Sequence, residues 1–405
     1  MFFYILTIIR LISKFRKLPA LSIMFSTSLS SFGRKGFRRL LLGRKLRNMY
    51  LSTTSCWNSM SESTRNLALG ITDDGLIQRR VALSRAITLM ESKKADKKQQ
   101  ADFLLTYLLS KRPKNQKASI RIGFAGPPGA GKSSLIEAFG MYLLRANPDI
   151  HLAAVCIDPA SEISGGSILG DKTRMTELSR QERAFVRPSS NAGVLGGLAA
   201  YTDDVVSTLS AAGYPLVLVE TVGLGQSEVE VAQSVDVLIL LLPPGGGDEL
   251  QGVKKGIVEL ADILVVTKAD GNLLAAAKST AADYKGAIRV LQQSNSSSDQ
   301  MWQPRVLLTS SVEQNGLGEL WKSIQDYQEH LVSTGKFEAR RQKQAKYWMW
   351  KQLTRMMQDC ILQNHELAQE ALELESKMLM GRLTPRVAAQ ELLDGVFSRL
   401  KQQKS

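Results

Sequence analysis

The stretch Gly126-Pro127-Pro128-Gly129-Ala130-Gly131-Lys132-Ser133 constrains this chain more than any other. It fits the pattern G-x-x-x-x-G-K-[ST], and its flanks fit as well. An apolar run, Ile120–Ala125, comes before it, and a helical pattern, Ser134–Leu144, comes after. A strand that turns into a helix through glycines gathers backbone N–H groups at a helix N-terminus, where the dipole favours an anion. The pattern therefore assigns Gly126 to Ser134 to the phosphates of a nucleotide. Lys132 is expected to reach the β- and γ-phosphates, and Ser133 to hold Mg²⁺.

From residue 119 onward, short apolar runs alternate with helix-length stretches. The runs are Ile120–Ala125, Leu152–Ile157, Leu216–Val219, Val235–Leu242, Ile263–Thr267 and Val306–Leu308. Each is near-continuous, as expected of strands buried on both faces of a parallel sheet. The expectation is an α/β P-loop domain over 119–333 with a mostly parallel sheet and right-handed crossovers. Residues 62–118 read as N-terminal helices, with Ile77, Val81, Leu83, Ser84, Ile87 and Met90 at helical spacing. Lys93–Gln100 reads as a charged connection before a second helix, Asp102–Leu109. Residues 334–405 return to helix, with a Tyr347, Trp348, Trp350 cluster expected in a core or interface, and a break at Gly381 and Pro385.

Net charge is +14, yet 11 of the 52 Lys and Arg lie in residues 1–61, where no Asp or Glu occurs. Without them 41 basic residues face 38 acidic ones, so the remaining chain carries an excess of only +3 to offer nucleic acid. The segment 1–61 is Arg- and Ser-rich and acid-free, the composition of a mitochondrial transit peptide, although a plain basic tail has the same composition. Its apolar start, Phe2–Ile12, falls short of the ~20 residues a membrane span needs and is interrupted by Arg10, so no stable membrane insertion is expected. Cys56, Cys156 and Cys360 form no disulfide framework or metal spacing, and His151, His330 and His365 are equally scattered.

Acids at strand ends complete the phosphate site. Asp158 closes one apolar run, Glu220 closes another within Glu220-Thr221-Val222-Gly223, and Asp171 follows a glycine-rich loop. Each is a candidate for the metal's surroundings, and each also reads as a solvated carboxylate. Gly223 stands where a backbone N–H would meet the γ-phosphate. Most GTPases carry D-x-x-G there; this chain has E-x-x-G. Thr267-Lys268-Ala269-Asp270 is close to N-K-x-D. Asp270 can accept from guanine N1–H and N2–H₂, a pair adenine lacks. Lys268 would lie along the base, and the Ser310-Ser311-Val312 backbone would meet guanine O6. In this order the motifs point to GTP rather than ATP. No arginine finger is evident; Gln226 and Gln251 are candidates to place water and read equally as surface residues.

Four segments carry a more specific resemblance: GPPGAGKSS (126–134), GGSILGDKTRM (165–175), ETVGLGQSE (220–228) and GGDELQGVKKGI (246–257). Together they resemble the MeaB and ArgK family, which includes the methylmalonic aciduria type A proteins. The last segment is similar to that family's third switch, with Asp248, Glu249, Gln251 and Lys254. The likeness runs from about Arg80 to the Trp348/Trp350 cluster. Departures are modest: Ala160 and Ser311 replace the usual Ser and Ala.

The resemblance implies a homodimeric GTPase that attends methylmalonyl-CoA mutase, gating adenosylcobalamin loading and protecting or reactivating the mutase. It places Lys132, Ser133, Asp158, Asp171 and Glu220 around phosphate and Mg²⁺, and Asp270 on guanine. It makes 334–405 a dimerisation arm and the mitochondrial matrix the compartment. Lys254 is the residue a partner would bring in, and it reads as well as an exposed helix lysine. A metal-insertion GTPase or a phosphotransferase are the competing readings.

Overall fold

The computed structural model describes residues 53–72, 75–92, 94–111, 118–158, 175–190, 201–221, 230–245, 255–293 and 302–402. Among the described residues four helices come first: α1 (Thr53–Ser59), α2 (Glu62–Thr72), α3 (Leu76–Met90) and α4 (Ala95–Lys111). Then strands and helices alternate: β1 (Ile120–Ala125), α5 (Lys132–Ala146), β2 (Leu152–Asp158), α6 (Thr176–Arg180), β3 (Ala184–Ser190), α7 (Thr202–Ala211), β4 (Leu216–Glu220), β5 (Val237–Leu242), α8 (Lys255–Leu260), β6 (Ile263–Val266), α9 (Leu274–Gln293), β7 (Arg305–Leu308) and α10 (Leu317–Ser333). Three helices end the chain: α11 (Lys336–Gln363), α12 (His365–Leu379) and α13 (Pro385–Gln402). No helix among the described residues is long and apolar enough to cross a membrane.

The strands form one 7-stranded sheet in the order β3-β2-β4-β1-β5-β6-β7, every neighbouring pair parallel. The α/β expectation holds, with one strand more than the apolar runs announce. β3 reads Ala-Phe-Val-Arg-Pro-Ser-Ser, too polar to stand out, and carries Pro188. At the edge of the sheet a proline costs no ladder hydrogen bond. Two further expectations shift. Lys93–Gln100 is not a connection throughout, because α4 already begins at Ala95. On α3 the buried face is Ala82, Leu83, Ala86, Ile87 and Met90, while Ile77 and Val81 stand exposed.

One face of the sheet, with Ile122, Phe124, Leu218, Ile239 and Val265, packs under α5 and α10 through Leu135, Phe139, Leu320 and Ile324. The chain divides into two compact units. Met60–Met349 contains the sheet; the other takes in α1 and Trp350–Ser405. This division leaves the N-terminal helices from α2 on, and the first half of α11, with the sheet. Within the second unit α12 and α13 are joined by a turn through Gly381, at φ 71°. Asn364 caps α12 through its side chain, and Arg399 of α13 bonds Glu366 and Glu370.

The first half of α11 is clamped at the edge where the strands begin. Arg341 takes both oxygens of Asp236, at 2.9 and 2.7 Å, and also the Ser119 carbonyl. Arg340 does the same to Asp262, at 3.2 and 3.1 Å, while Tyr327 donates its hydroxyl to the same carboxylate. Burial, reinforced by the Asp262 charge, lifts the Tyr327 phenol far above its ordinary range. Burial works against the Arg340 charge, but the Asp262 carboxylate outweighs it and holds the guanidinium charged. Breaking a buried pair by removing one partner strands the other charge, at a cost of about 3 kcal/mol or more. Arg341→Met, which leaves Asp236 1% exposed and unmatched, is therefore expected to lower urea-unfolding stability by roughly that amount. Arg305→Met, which removes the solvent-exposed pair with Asp326, is expected to cost less than about 1 kcal/mol in the same assay.

Candidate functional site

All strands end at one edge of a parallel sheet, and the loops there build the site. β1 delivers Ala125 to Gly126, whose φ of 151° suits glycine. A Cβ at Gly126 would lie 2.5 Å from the Leu241 carbonyl of β5, so the loop leaves the sheet pressed against its neighbour. Ala130 N–H closes a turn on Pro127 O at 3.2 Å, and Leu135 N–H bonds Gly131 O as α5 begins. The N-cap is Gly131, which offers no side-chain acceptor. The first N–H groups of any α-helix have no carbonyl of their own helix to bond, and α5 starts directly from this loop. Lys132 and Ser133 are both buried. The Lys132 amine donates to Gly126 O at 2.8 Å and to Pro127 O at 3.1 Å.

β4 ends at Glu220, in register with Phe124 of β1 and Cys156 of β2. That register brings the carboxylate to the start of α5, where Ser133 Oγ donates to Glu220 Oε1 at 2.5 Å. A hydroxyl and a carboxylate oxygen side by side at a helix N-terminus are hard donors. Mg²⁺ uses one or two such protein oxygens and leaves its other positions to phosphate and water. The residues present fit that ion.

The base side is tied to the phosphate side by a single buried hydroxyl. Thr267 Oγ1 donates to Ala130 O at 2.7 Å and approaches Leu242 O at 3.3 Å. Beyond it Lys268 is exposed at φ 54°, and Ala269 N–H bonds Thr309 O at 3.0 Å. Asp270 Oδ2 accepts from Ser310 Oγ at 2.5 Å, and that hydroxyl in turn accepts from Glu313 N–H at 2.9 Å. These bonds fix the carboxylate's direction. Ser310 N–H is itself engaged by Asn315 O. Ser311 is half-buried and Val312 exposed, and Arg145 of α5 holds the loop through Gln314.

The structure thus brings together Lys132, Ser133 and Glu220 at the loop, and Thr267, Asp270 and Ser310 beside it. Ser134 points to solvent. Asp158 ends β2 at the same edge, its side chain outside the described residues, as are Asp171, Gly223, Gln226, Gln251 and Lys254. Sequence reasoning treated Thr267 only as a departure from N-K-x-D; the departure was itself the signal that a hydroxyl does the tethering. The hydroxyl of Ser310 was likewise missed, because only backbone N–H groups were assigned to that loop.

The family described as methylmalonyl Co-A mutase-associated GTPase MeaB matches residues 83–366, from α3 to α12. This chain belongs to the MeaB family of GTPases. It is a P-loop GTPase and binds guanine nucleotide. A mouse protein, methylmalonic aciduria type A homolog, mitochondrial, is 41% identical over 336 residues, covering 80% of this chain and 79% of its own. The GTPase ArgK of Escherichia coli is 38% identical over 334 residues, covering 82% and 96%. Among solved structures, one described as a LAO/AO transport system kinase matches with TM-score 0.61 and 30% identity, over 85% of this chain and 99% of that one.

Two substitutions probe this geometry. Thr267→Val keeps the shape but removes the tether, and is expected to weaken GDP binding about fivefold or more in a fluorescent-nucleotide titration. Gly126→Ala drives a methyl into Leu241 O and is expected to abolish binding in the same titration while the sheet's circular-dichroism signal persists.

Proposed function

We propose that this GTPase is a chaperone of methylmalonyl-CoA mutase, and that it couples GTP hydrolysis to adenosylcobalamin loading of that enzyme and to its protection or reactivation. One observation carries the reading: the match to a family described as mutase-associated runs across the sheet and on into the C-terminal helices. The mouse and Caenorhabditis elegans relatives are named mitochondrial. With the acid-free Arg-rich segment 1–61, that supports import into the mitochondrial matrix.

In the proposed reaction, water attacks the γ-phosphate in line. Loop amides from Gly126 to Ser134 and the Lys132 ammonium neutralise charge on the β- and γ-phosphates. Ser133 would hold Mg²⁺, with Glu220, Asp158 and Asp171 as further carboxylates, and the ion would supply charge neutralisation. Gly223 meets the γ-phosphate, and Lys254 is brought in by the partner. Asp270 takes guanine N1–H and N2–H₂, Lys268 lies along the ring, and with Ser310 N–H engaged the O6 contact falls to Ser311 or Val312. Homodimerisation is assigned to 334–405, where Leu362, Leu372, Leu379 and Phe397 stand exposed.

The test measures GTP and ATP hydrolysis by the purified protein with and without methylmalonyl-CoA mutase, beside Lys132→Ala. Slow, Mg²⁺-dependent, GTP-only turnover that rises with the mutase and vanishes in the variant is the expected result. Turnover indifferent to the mutase would move the search to another client. Asp270→Asn is expected to shift preference from GTP to XTP, because its amide donates to xanthine O2 where the carboxylate accepted from guanine N2–H₂. Unchanged GTP preference in that variant would overturn the role of Asp270.

A further inference from the structure

Residues 230–236 follow the segment that starts at Glu220, and they are held on two sides. On one side lies β1. Val231 and Val235 are fully buried, and a Cβ on Gly123 would stand 2.7 Å from Val231 Cγ1 and 3.0 Å from Val235 Cγ2. Only a glycine in the strand allows so close an approach. On the other side lies α11. Gln344 Nε2 donates to Ala232 O at 3.2 Å and to Val235 O at 2.7 Å, and Trp348 Nε1 donates to Gln233 O at 2.8 Å. Gln344 and Trp348 sit one helical turn apart on one face, and both are buried.

These contacts differ in kind from the arginine clamps. Arg340 and Arg341 grip acids at the strand starts, away from the phosphate loop. Gln344 and Trp348 grip the main chain of the piece that joins the end of β4 to the start of β5. That piece also presses on β1, the strand that delivers Gly126. Close-packed contacts of this sort do not stretch, so a displaced 230–236 must either shift against Gly123 or give up its bonds to α11.

We propose that Gln344 and Trp348 are positioning residues of the GTPase cycle, holding the downstream foot of the segment that carries Gly223 and so making hydrolysis and the setting of α11 depend on each other. The proposal rests on the reading of Gly223 as the γ-phosphate contact. Linkage makes the dependence reciprocal: a force on α11 alters the nucleotide site, and the γ-phosphate alters the environment of Trp348.

The experiment uses the full chain, with Gln344→Met, Trp348→Phe and Gly223→Ala, and Trp350→Phe as control. Single-turnover GTP hydrolysis, GDP affinity, melting temperature and tryptophan emission are compared in GDP and in a non-hydrolysable GTP analogue. Gln344→Met, which removes two buried hydrogen bonds, and Trp348→Phe, which removes one, are each expected to slow hydrolysis about fivefold or more, with GDP affinity held within about twofold. The nucleotide-dependent emission change should vanish in Trp348→Phe and survive in Trp350→Phe. If Trp348→Phe fails to fold, Gln344→Met, which removes no ring, carries the test. Wild-type hydrolysis in both variants, or an emission change that survives Trp348→Phe, overturns the proposal. If Gly223→Ala is impaired while those two behave as wild type, only the coupling falls; if Gly223→Ala is itself as fast as wild type, the γ-phosphate reading falls instead.

Discussion

Everything in the sheet-bearing unit depends on β1 being bonded on both sides, to β4 and to β5. A central strand with parallel neighbours has two unlike ends. At its far end the flanking strands finish alongside it and present Glu220, Leu241 and Leu242 to whatever β1 becomes. Because β1 becomes a glycine loop, those neighbours are where an anion's cation and contacts must come from. At its near end the strands begin together, and buried acids there need counter-charges. Chemistry and anchorage are separated by the length of one strand.

The far end joins two tasks that are distant in sequence. The glycine loop belongs to the turn after β1, and the loops proposed to read the base belong to the turns after β6 and β7. Thr267 Oγ1 on Ala130 O joins them through one short buried bond. Ser310 then orients Asp270 from the adjacent strand end. The first bond lies between a side chain and the main chain and the second between two short side chains, so little freedom remains between the loop after β1 and the loops after β6 and β7. Long side chains could have spanned the same gap, at a larger loss of rotamer freedom.

Much of this was legible in the sequence. Central strands bury both faces, so β1, β2, β4, β5 and β6 announce themselves as apolar runs. The glycine pattern between a run and a helix locates the phosphate loop. What escaped notice is what burial does not mark. β3 lies at an edge and keeps Arg187 and Pro188. Ile77 and Val81 look like a core stripe but face outward, because the neighbours of α3 cover its Leu83–Ile87 side. Asp236 and Asp262 look like breaks beside apolar runs; their partners stand 105 and 78 residues downstream, a distance no local pattern spans. Ser310 is assigned by its backbone, and the structure adds its hydroxyl as the group that holds Asp270.

The two strand-start acids share a further property. Asp236 accepts the Arg121 N–H of the neighbouring strand, and Asp262 accepts the Leu238 N–H of its own neighbour, at 2.9 and 2.8 Å. Each carboxylate stands in for a carbonyl the ladder lacks at that edge, and hands its remaining capacity to an arginine. The arginines are consecutive in sequence, while the acids belong to adjacent strands. A helix turns about 100° per residue, so one residue inserted between α10 and Arg340 would carry Arg340 to the place of Arg341 and leave Asp262 without its guanidinium. The pair works like a two-toothed key cut for one lock: only one rotational phase of this part of α11 satisfies both acids, and a slip by one residue satisfies at most one of them.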